Sequence, residues 1–204
     1  MLPVENYPAI NMQTKNSTEQ VKHLVRETPQ LSEATRQVYL ERLNTPVKST
    51  PQFFDEARFR ILIAVSERLI FQDGLEDAVD LAGLLDTSLC AGEGDGWRYD
   101  EMPDDKTVLQ KGLELVDLSA FEDYAKAFVE LEPEQKDELL TRIQSGDIQW
   151  KELNAPRFFE ELLARLTEIF YSHPLARMSI NDLSGFDLPG WTNIGLNQTG
   201  PEKR

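Results

Sequence analysis

Two histidines and a single cysteine are the side chains of this chain best suited to metal binding, proton transfer or nucleophilic attack at neutral pH. His23 lies in a segment with helical periodicity and is predicted to face solvent, whereas His173 ends another such segment, directly before Pro174. His173 could act as a metal ligand or an acid–base group. An imidazole there also faces the negative end of a helix dipole, and we favour this structural role. Cys90 stands alone, which excludes an intrachain disulfide, a Cys-based zinc site and an iron–sulfur cluster built from this chain alone.

A second concentration of reactive groups is acidic. Residues 73–105 contain eleven Asp or Glu side chains and one basic residue, Arg98. The loop over residues 93–105 holds enough carboxylates for a calcium ion, but their spacing does not match an EF-hand. We interpret it as a solvated loop followed by acids that oppose the positive end of a helix dipole, because this interpretation requires no bound cation.

Motifs typical of enzyme active sites are missing from the sequence. It has no Gly-x-Ser-x-Gly and no Walker motif, and the glycines of residues 92–96 neither follow a predicted strand nor open a βαβ unit. The neighbouring carboxylates Glu160 and Glu161 lie in a predicted helix, where adjacent side chains point apart. The sequence therefore predicts no catalytic residue, no metal site and no flavin, nicotinamide or ATP site in this chain.

Helical signals begin at residue 17 and continue to residue 172. Ser17 and Gln20 have the spacing of a capping box, which predicts a first helix ending at Thr28. Ser32 predicts the start of a second helix. The predicted buried face of that helix consists of Leu31, Ala34, Val38 and Leu43.

The strongest helical period lies in residues 52–71, which we predict to form a central helix buried on more than one side. Its apolar stripe is Phe54, Ala57, Ile61, Val65 and Leu69, widened by Leu62, Ile63 and Ala64. Five further helices are predicted: one from Leu75 to Leu89, one starting at Pro103, one opened by a capping box from Ser119 to Glu122, one from Pro133 to Gly146, and one starting at Pro156. The last of them is predicted to bury Phe159, Leu162, Leu166 and Ile169 or their neighbours.

The chain after residue 172 has no helical period and is punctuated by proline and glycine. It nevertheless contains Phe186, Trp191 and Ile194, so we expect it to pack on the core or on a partner. These signals predict an all-α fold, an irregular multi-helix bundle of about seven or eight helices with a non-helical C-terminal tail. The predicted organisation is an N-terminal arm with short helices over 1–50, a helical core domain over 51–172, and the tail over 173–204.

The overall charge limits the possible partners. With 36 acidic and 21 basic side chains the formal net charge is -15, so the phosphates of a nucleic acid would be repelled. No apolar run reaches the roughly 18 residues needed to span a bilayer, and residues 1–16 lack the pattern of a secretory signal. We therefore expect no nucleic acid partner, no direct membrane insertion and a cytoplasmic location, or a periplasmic one if a partner carries the chain out.

A set of motifs resembles a known family. Phe158-Phe159-Glu-Glu-Leu-Leu is followed by Leu166-Thr167-Glu168, then by Phe170-Tyr171-Ser172-His173-Pro174 and, after an irregular stretch, by Gly190-Trp191-Thr-Asn-Ile194-Gly195. Upstream lie Leu69-Ile70-Phe71-Gln72-Asp73 and Phe121-x-x-Tyr124-x-x-Ala127-Phe128. In order and spacing, over roughly residues 54–197, these motifs are similar to those of gluconate 2-dehydrogenase subunit 3.

The resemblance implies a small accessory subunit of a membrane-associated, FAD-dependent sugar-acid or alcohol dehydrogenase. Its partner would be a large subunit of the glucose-methanol-choline type, often with a cytochrome c subunit. FAD, and haem c where present, would be held by those partners, and this chain would stabilise or mature the flavoprotein without catalytic residues of its own. The residues proposed to contact the partner are Phe158, Phe159, Phe170, Tyr171, His173, Pro174, Gly190, Trp191, Ile194 and Gly195. The alternative is a free-standing helical scaffold or small-ligand-binding module without enzymatic activity.

Overall fold

The structure, a computed structural model, describes residues 17–28, 31–48, 50–73, 75–92 and 103–179. Within these ranges the chain forms eight α-helices and one 3₁₀ turn, with no β-strand, which confirms the all-α prediction. The helices are α1 (Thr18–Glu27), α2 (Glu33–Asn44), α3 (Glu56–Leu69), α4 (Leu81–Ala91), α5 (Asp105–Tyr124), α6 (Pro133–Ser145), α7 (Ala155–Ser172) and α8 (Pro174–Ser179), and the 3₁₀ turn is Phe128–Glu130.

The chain divides into two compact units. The small unit contains α1, α2, residues 75–77 and α8, and the large unit contains residues 46–73 and 78–173, with α3 to α7. In the large unit, α3 packs on α4, α5, α6 and the 3₁₀ turn, while α7 packs on α4, α5 and α6. Helix α3 is therefore central to the large unit, as its wide apolar stripe predicts.

Burial along α3 follows the prediction with three exceptions. Ile61, Leu62 and Val65 are buried, but Ala57 and Ile63 are exposed and Leu69 is half-buried. The helix begins at Glu56 because the Asp55 carboxylate accepts a 2.8 Å hydrogen bond from the backbone N–H of Arg58 and so caps it.

The small unit is built on short, well-capped helices. The predicted capping box is present, since the Ser17 hydroxyl accepts from the N–H of Gln20 and the Gln20 side chain accepts from the N–H of Ser17. Along α2, Tyr39 and Leu43 are buried, but Val38, predicted to be buried, is exposed. Ala34 is exposed as well, so the buried face of α2 includes Tyr39 in place of Ala34 and Val38.

Helix α4 starts at Leu81, so the predicted start at Leu75 is wrong. The side-chain amide of Gln72 both donates to the C=O of Val79, at 3.2 Å, and accepts from its N–H, at 2.7 Å. Asp80 then caps the helix by accepting from the N–H of Gly83. These bonds occupy the backbone groups that a helix through residues 75–80 would need.

Helix α5 is continuous through Ser119, so the separate helix predicted to start there does not form. The Ser119 hydroxyl donates a 2.8 Å hydrogen bond to the C=O of Leu115, one turn earlier, instead of capping. Buried Val116 and Ala120 carry the apolar face past this point. The helix ends at Tyr124, and the φ of 54° at the next residue, Ala125, lies in the left-handed region.

The remaining boundaries lie close to the predictions. Helix α6 begins at Pro133 and ends before Gly146, which has a φ of 81°. Helix α8 occupies Pro174–Ser179, so the first residues of the predicted non-helical tail are helical. Proline accounts for this start, because its fixed φ suits the first helical turn. The rest of the tail lies outside the described residues.

Candidate functional site

Helix α7 carries the aromatic residues on which the predicted site rests. Asn154 caps it by accepting a 3.0 Å hydrogen bond from the N–H of Arg157, and Pro156 lies in its first turn. Phe158, Leu162 and Leu166 recur at intervals of four residues and are almost completely buried. The sequence of α7 thus turns one continuous apolar stripe toward the interior of the large unit.

Phe158 sits against a glycine on α5. A Cβ atom added to Gly112 would lie 2.1 Å from Cδ2 and Cε2 of the Phe158 ring, so the ring occupies the space that any other side chain would need. The ring of Trp150 packs on the same phenyl group, with centroids 5.5 Å apart. Its indole N–H donates to the hydroxyl of Ser119 at 3.0 Å, which joins the loop before α7 to α5.

The described partner-contact candidates differ in exposure. The first group, Phe158, Phe159, Phe170, His173 and Pro174, is buried within the chain. Tyr171 is 49% exposed, with its ring 5.1 Å from that of Phe170. Of the described candidates, Tyr171 therefore offers the most surface for direct contact with another protein. The other candidates, Gly190, Trp191, Ile194 and Gly195, lie outside the described residues.

His173 ends helix α7, where its backbone N–H donates to the C=O of Phe170 at 3.0 Å. It is buried at the C-terminal end of the helix, the position that the sequence predicts. His23 is exposed on α1, as predicted.

A buried ion pair also joins α7 to α5. Arg165 donates to the carboxylate of Asp105 at 2.8 Å, and their side chains are only 14% and 7% exposed. Asp105 is the first residue of α5, where a carboxylate also opposes the positive end of the helix dipole. Removing one partner of such a pair would leave a buried charge, so these two residues help to fix how α7 lies along α5.

A second buried carboxylate organises the segment that leads into α3. Asp86 on α4 is completely buried and accepts hydrogen bonds from three consecutive backbone N–H groups, those of Gln52 at 2.7 Å and of Phe53 and Phe54 at 2.9 Å. Each of these donors would otherwise need another partner. Asp86 is thus an anchor for the loop before α3, not an exposed acid.

Exposed carboxylates at helix starts have altered pKa values. The Thr107 hydroxyl and N–H donate to Asp104 and hold the pKa of that carboxyl below its usual range. The N–H of Arg58, followed by its guanidinium, lowers the pKa of Asp55 in the same way. Both shifts result from helix capping and favour the ionised form.

In the part of the chain that the structure describes, no group of three or more His, Cys, Asp or Glu side chains is arranged to hold a metal ion. None of its helices is both long enough and apolar enough to cross a membrane. The acidic loop considered for calcium lies mostly outside the described residues, which include only Pro103, Asp104 and Asp105 from it.

Sequence reasoning missed several residues that position these elements. Gly112 could have been found, because it interrupts the buried stripe of α5, where Leu109, Leu113 and Val116 mark the interior face. Asp86 carries a similar signal, since it is an ionisable residue within the otherwise apolar run of α4.

The structure is thus that of an all-helical protein. The paired phenylalanines of α7, Phe158 and Phe159, pack in its interior. Residues 56–190 match the model of the protein family described as gluconate 2-dehydrogenase subunit 3. The match covers well over half of the chain, and the chain belongs to this family. It begins at the first residue of α3, so α1 and α2 lie before it. Comparison with curated proteins and with solved structures gives no match.

Proposed function

We propose that this chain is the accessory subunit of a dehydrogenase complex of the gluconate 2-dehydrogenase kind. Its partner would be a FAD-dependent subunit of the glucose-methanol-choline type, which oxidises a sugar acid, a polyol or a related alcohol. The observation that carries the proposal is the family match over residues 56–190, since the family is named as a subunit of gluconate 2-dehydrogenase.

The chemistry is assigned to the partner. FAD would be bound there, with haem c in a cytochrome c subunit where the complex has one. This chain would contribute no catalytic residue and would act by stabilising or maturing the flavoprotein. The buried polar anchors support this role, because Asp86 and the Arg165–Asp105 pair are both engaged with groups of the chain itself.

Co-expression tests the proposal directly. The chain is produced together with a FAD-dependent dehydrogenase of the glucose-methanol-choline type, and the flavoprotein is also produced alone. We expect the two to co-purify at a fixed ratio, and the flavoprotein made alone to have a lower flavin content or a lower melting temperature. The chain purified alone should be colourless.

Two results would reject this function. One is a flavoprotein with the same flavin content, stability and activity whether or not the chain is present. The other is a stoichiometric flavin or haem bound to the chain itself. A lack of any association would instead favour the free-standing scaffold or ligand-binding module.

A further inference from the structure

The outer face of the C-terminal half of α5 exposes two large apolar side chains next to each other. Leu118 is 50% exposed and Phe121 is 63% exposed. Because they are three residues apart in a helix, their side chains lie on the same face. The inner face of α5 has its own buried apolar residues, so this outer pair is not needed for the core of the chain.

The other large apolar side chains exposed in the described residues are isolated along the sequence. None of them has another at a spacing of three or four. They are Val38, Val47, Ile63, Phe71 and Tyr171. Single exposed apolar residues are ordinary in soluble proteins, whereas adjacent ones mark interaction surfaces more often.

The end of α5 is held firmly in place. Asp117 accepts from the N–H of Phe128 at 2.8 Å, which fixes the turn after the helix. Asp123 pairs with Arg142 at 2.6 Å, and the Tyr124 hydroxyl contacts Glu138 at 3.0 Å, which ties the last turn of α5 to α6. A surface that is already ordered loses little conformational freedom on binding, so Leu118 and Phe121 are presented in a form ready for contact.

The charge around this apolar pair indicates which kind of surface covers it. Residues 114–138 include nine acidic side chains, of which three pair with arginines outside this range, and two lysines. Glu122, next to Phe121, is exposed. A second copy of the chain, docked face to face, would bring these acids against their own equivalents, and this repulsion opposes self-association.

We propose that Leu118 and Phe121 form the centre of the docking surface for the dehydrogenase subunit, and that the opposing surface is an apolar depression bordered by Lys and Arg side chains. This inference rests on the proposed function, because it takes the flavoprotein as the occupant. Apolar centres with charged rims are the usual anatomy of such interfaces.

The test compares three variants of the full chain for binding to the co-expressed flavoprotein. Leu118→Ala with Phe121→Ala removes the apolar centre, Glu122→Lys reverses a rim charge, and Val47→Ala is the control at a site 75% exposed outside the helices. We expect the double variant to bind roughly 30-fold or more weakly, Glu122→Lys to bind several-fold more weakly with a smaller salt dependence, and the control to match wild type within about 2-fold. Melting temperatures of the isolated variants should match wild type, since these side chains are exposed and alanine favours helix.

The outcomes separate the two proposals. If wild type binds and the double variant binds equally well, the α5 surface is wrong while the accessory role stands. Tighter binding by Glu122→Lys would overturn the basic rim of the partner. If wild type alone is dimeric in light scattering and the double variant is monomeric, a second copy covers this face and the inference fails. If wild type does not bind any flavoprotein, the proposed function itself fails.

Discussion

The two compact units are stabilised in different ways. The large unit has a broad apolar interior in which α7 meets α4, α5 and α6, with Phe158 filling the space left by Gly112. Among the described residues, the largest fully buried side chains all lie in the large unit, whereas the small unit buries smaller ones such as Val21 and Val25 and also depends on polar contacts at helix ends. Arg36 on α2 illustrates this, because its guanidinium donates to the backbone C=O groups of Val25, Arg26, Thr28 and Leu31.

This difference indicates which substitutions each unit tolerates. Close-packed interiors respond to small changes in side-chain volume, whereas a capped pair of short helices responds to the loss of hydrogen bonds. The family match begins at α3, so most of the matched residues belong to the packed unit. We expect α1 and α2 to tolerate changes in apolar volume better than α3 to α7 do.

Truncation of Phe158, the central aromatic residue of α7, should have the largest effect on the free energy of unfolding. Phe158→Ala removes a side chain that is 1% exposed, and we expect a loss of about 3 to 5 kcal/mol in the free energy of unfolding. Urea denaturation monitored by far-UV circular dichroism measures this loss. Phe71→Ala is the control, since Phe71 is 73% exposed and its truncation should cost less than about 0.5 kcal/mol. Equal effects of the two changes would refute the packing account of the large unit.

The glycine facing that ring provides a second test, in which two effects have opposite signs. Gly112→Ala gains up to about 1 kcal/mol of helix propensity, but its new methyl group would collide with the Phe158 ring, and overpacking of this kind costs about 1 to 3 kcal/mol. We expect net destabilisation by thermal melting. Adding Phe158→Leu to Gly112→Ala should cost less than the sum of the two single changes, because the smaller side chain makes room for the methyl group. A Gly112→Ala variant more stable than wild type would show that the ring moves aside freely.

Local sequence signals located several helix ends but not the long-range contacts. Ser17 with Gln20, Pro133 and Gly146 act within one helical turn, so their patterns sufficed. The start of α4 depends on Gln72 binding Val79, and the loop before α3 depends on Asp86, which lies more than thirty residues further along the chain. Such pairings are decided by tertiary structure. The same reasoning explains Ser119, where burial of neighbouring residues overrode a local capping pattern.

The paired phenylalanines of α7 belong both to the family motif and to the buried stripe of the helix. Phe158 and Phe159, both proposed as partner contacts, are buried in the chain, as the helical period predicts for Phe159. The pattern of residue types identified the family correctly. Periodicity placed Leu162 and Leu166 on the inner face, and applying it equally to Phe158 would have placed that residue there too.

The small unit should respond most to the loss of Arg36. Arg36→Met keeps the aliphatic stem but removes the donors to four carbonyl groups, and we expect a local loss of about 1 to 2 kcal/mol. Hydrogen exchange of the α1 amides measures it, with faster exchange expected at Val25 and Thr28. Arg26→Met is the control, since Arg26 is an exposed residue of α1, the helix whose amides are measured. If the α1 amides exchange at the same rate in both variants, the hydrogen bonds donated by Arg36 do not stabilise the small unit.

The smallest expected effect is a pH-dependent one at the start of α5. Asp104→Asn keeps an oxygen that can accept from Thr107 but removes the negative charge opposite the helix dipole. Because the pKa of Asp104 is lowered in the folded chain, its charge contributes stability above the unfolded pKa of about 3.9, and this contribution is lost as the pH falls through the lower, folded pKa.

Wild type should therefore exceed Asp104→Asn in unfolding free energy by a few tenths of a kcal/mol at pH 7, a small value because the site is exposed and screened by solvent. The difference should be smaller at pH 3 than at pH 7, because the contribution of the charge decreases as the pH falls below the unfolded pKa toward the folded one, as measured by urea denaturation at both pH values. Asp104→Ala, which also loses the capping oxygen, should be about 1 kcal/mol less stable than Asp104→Asn at both. A difference between wild type and Asp104→Asn that grows as the pH falls would mean that the ionised carboxylate at this helix start is unfavourable in the folded chain.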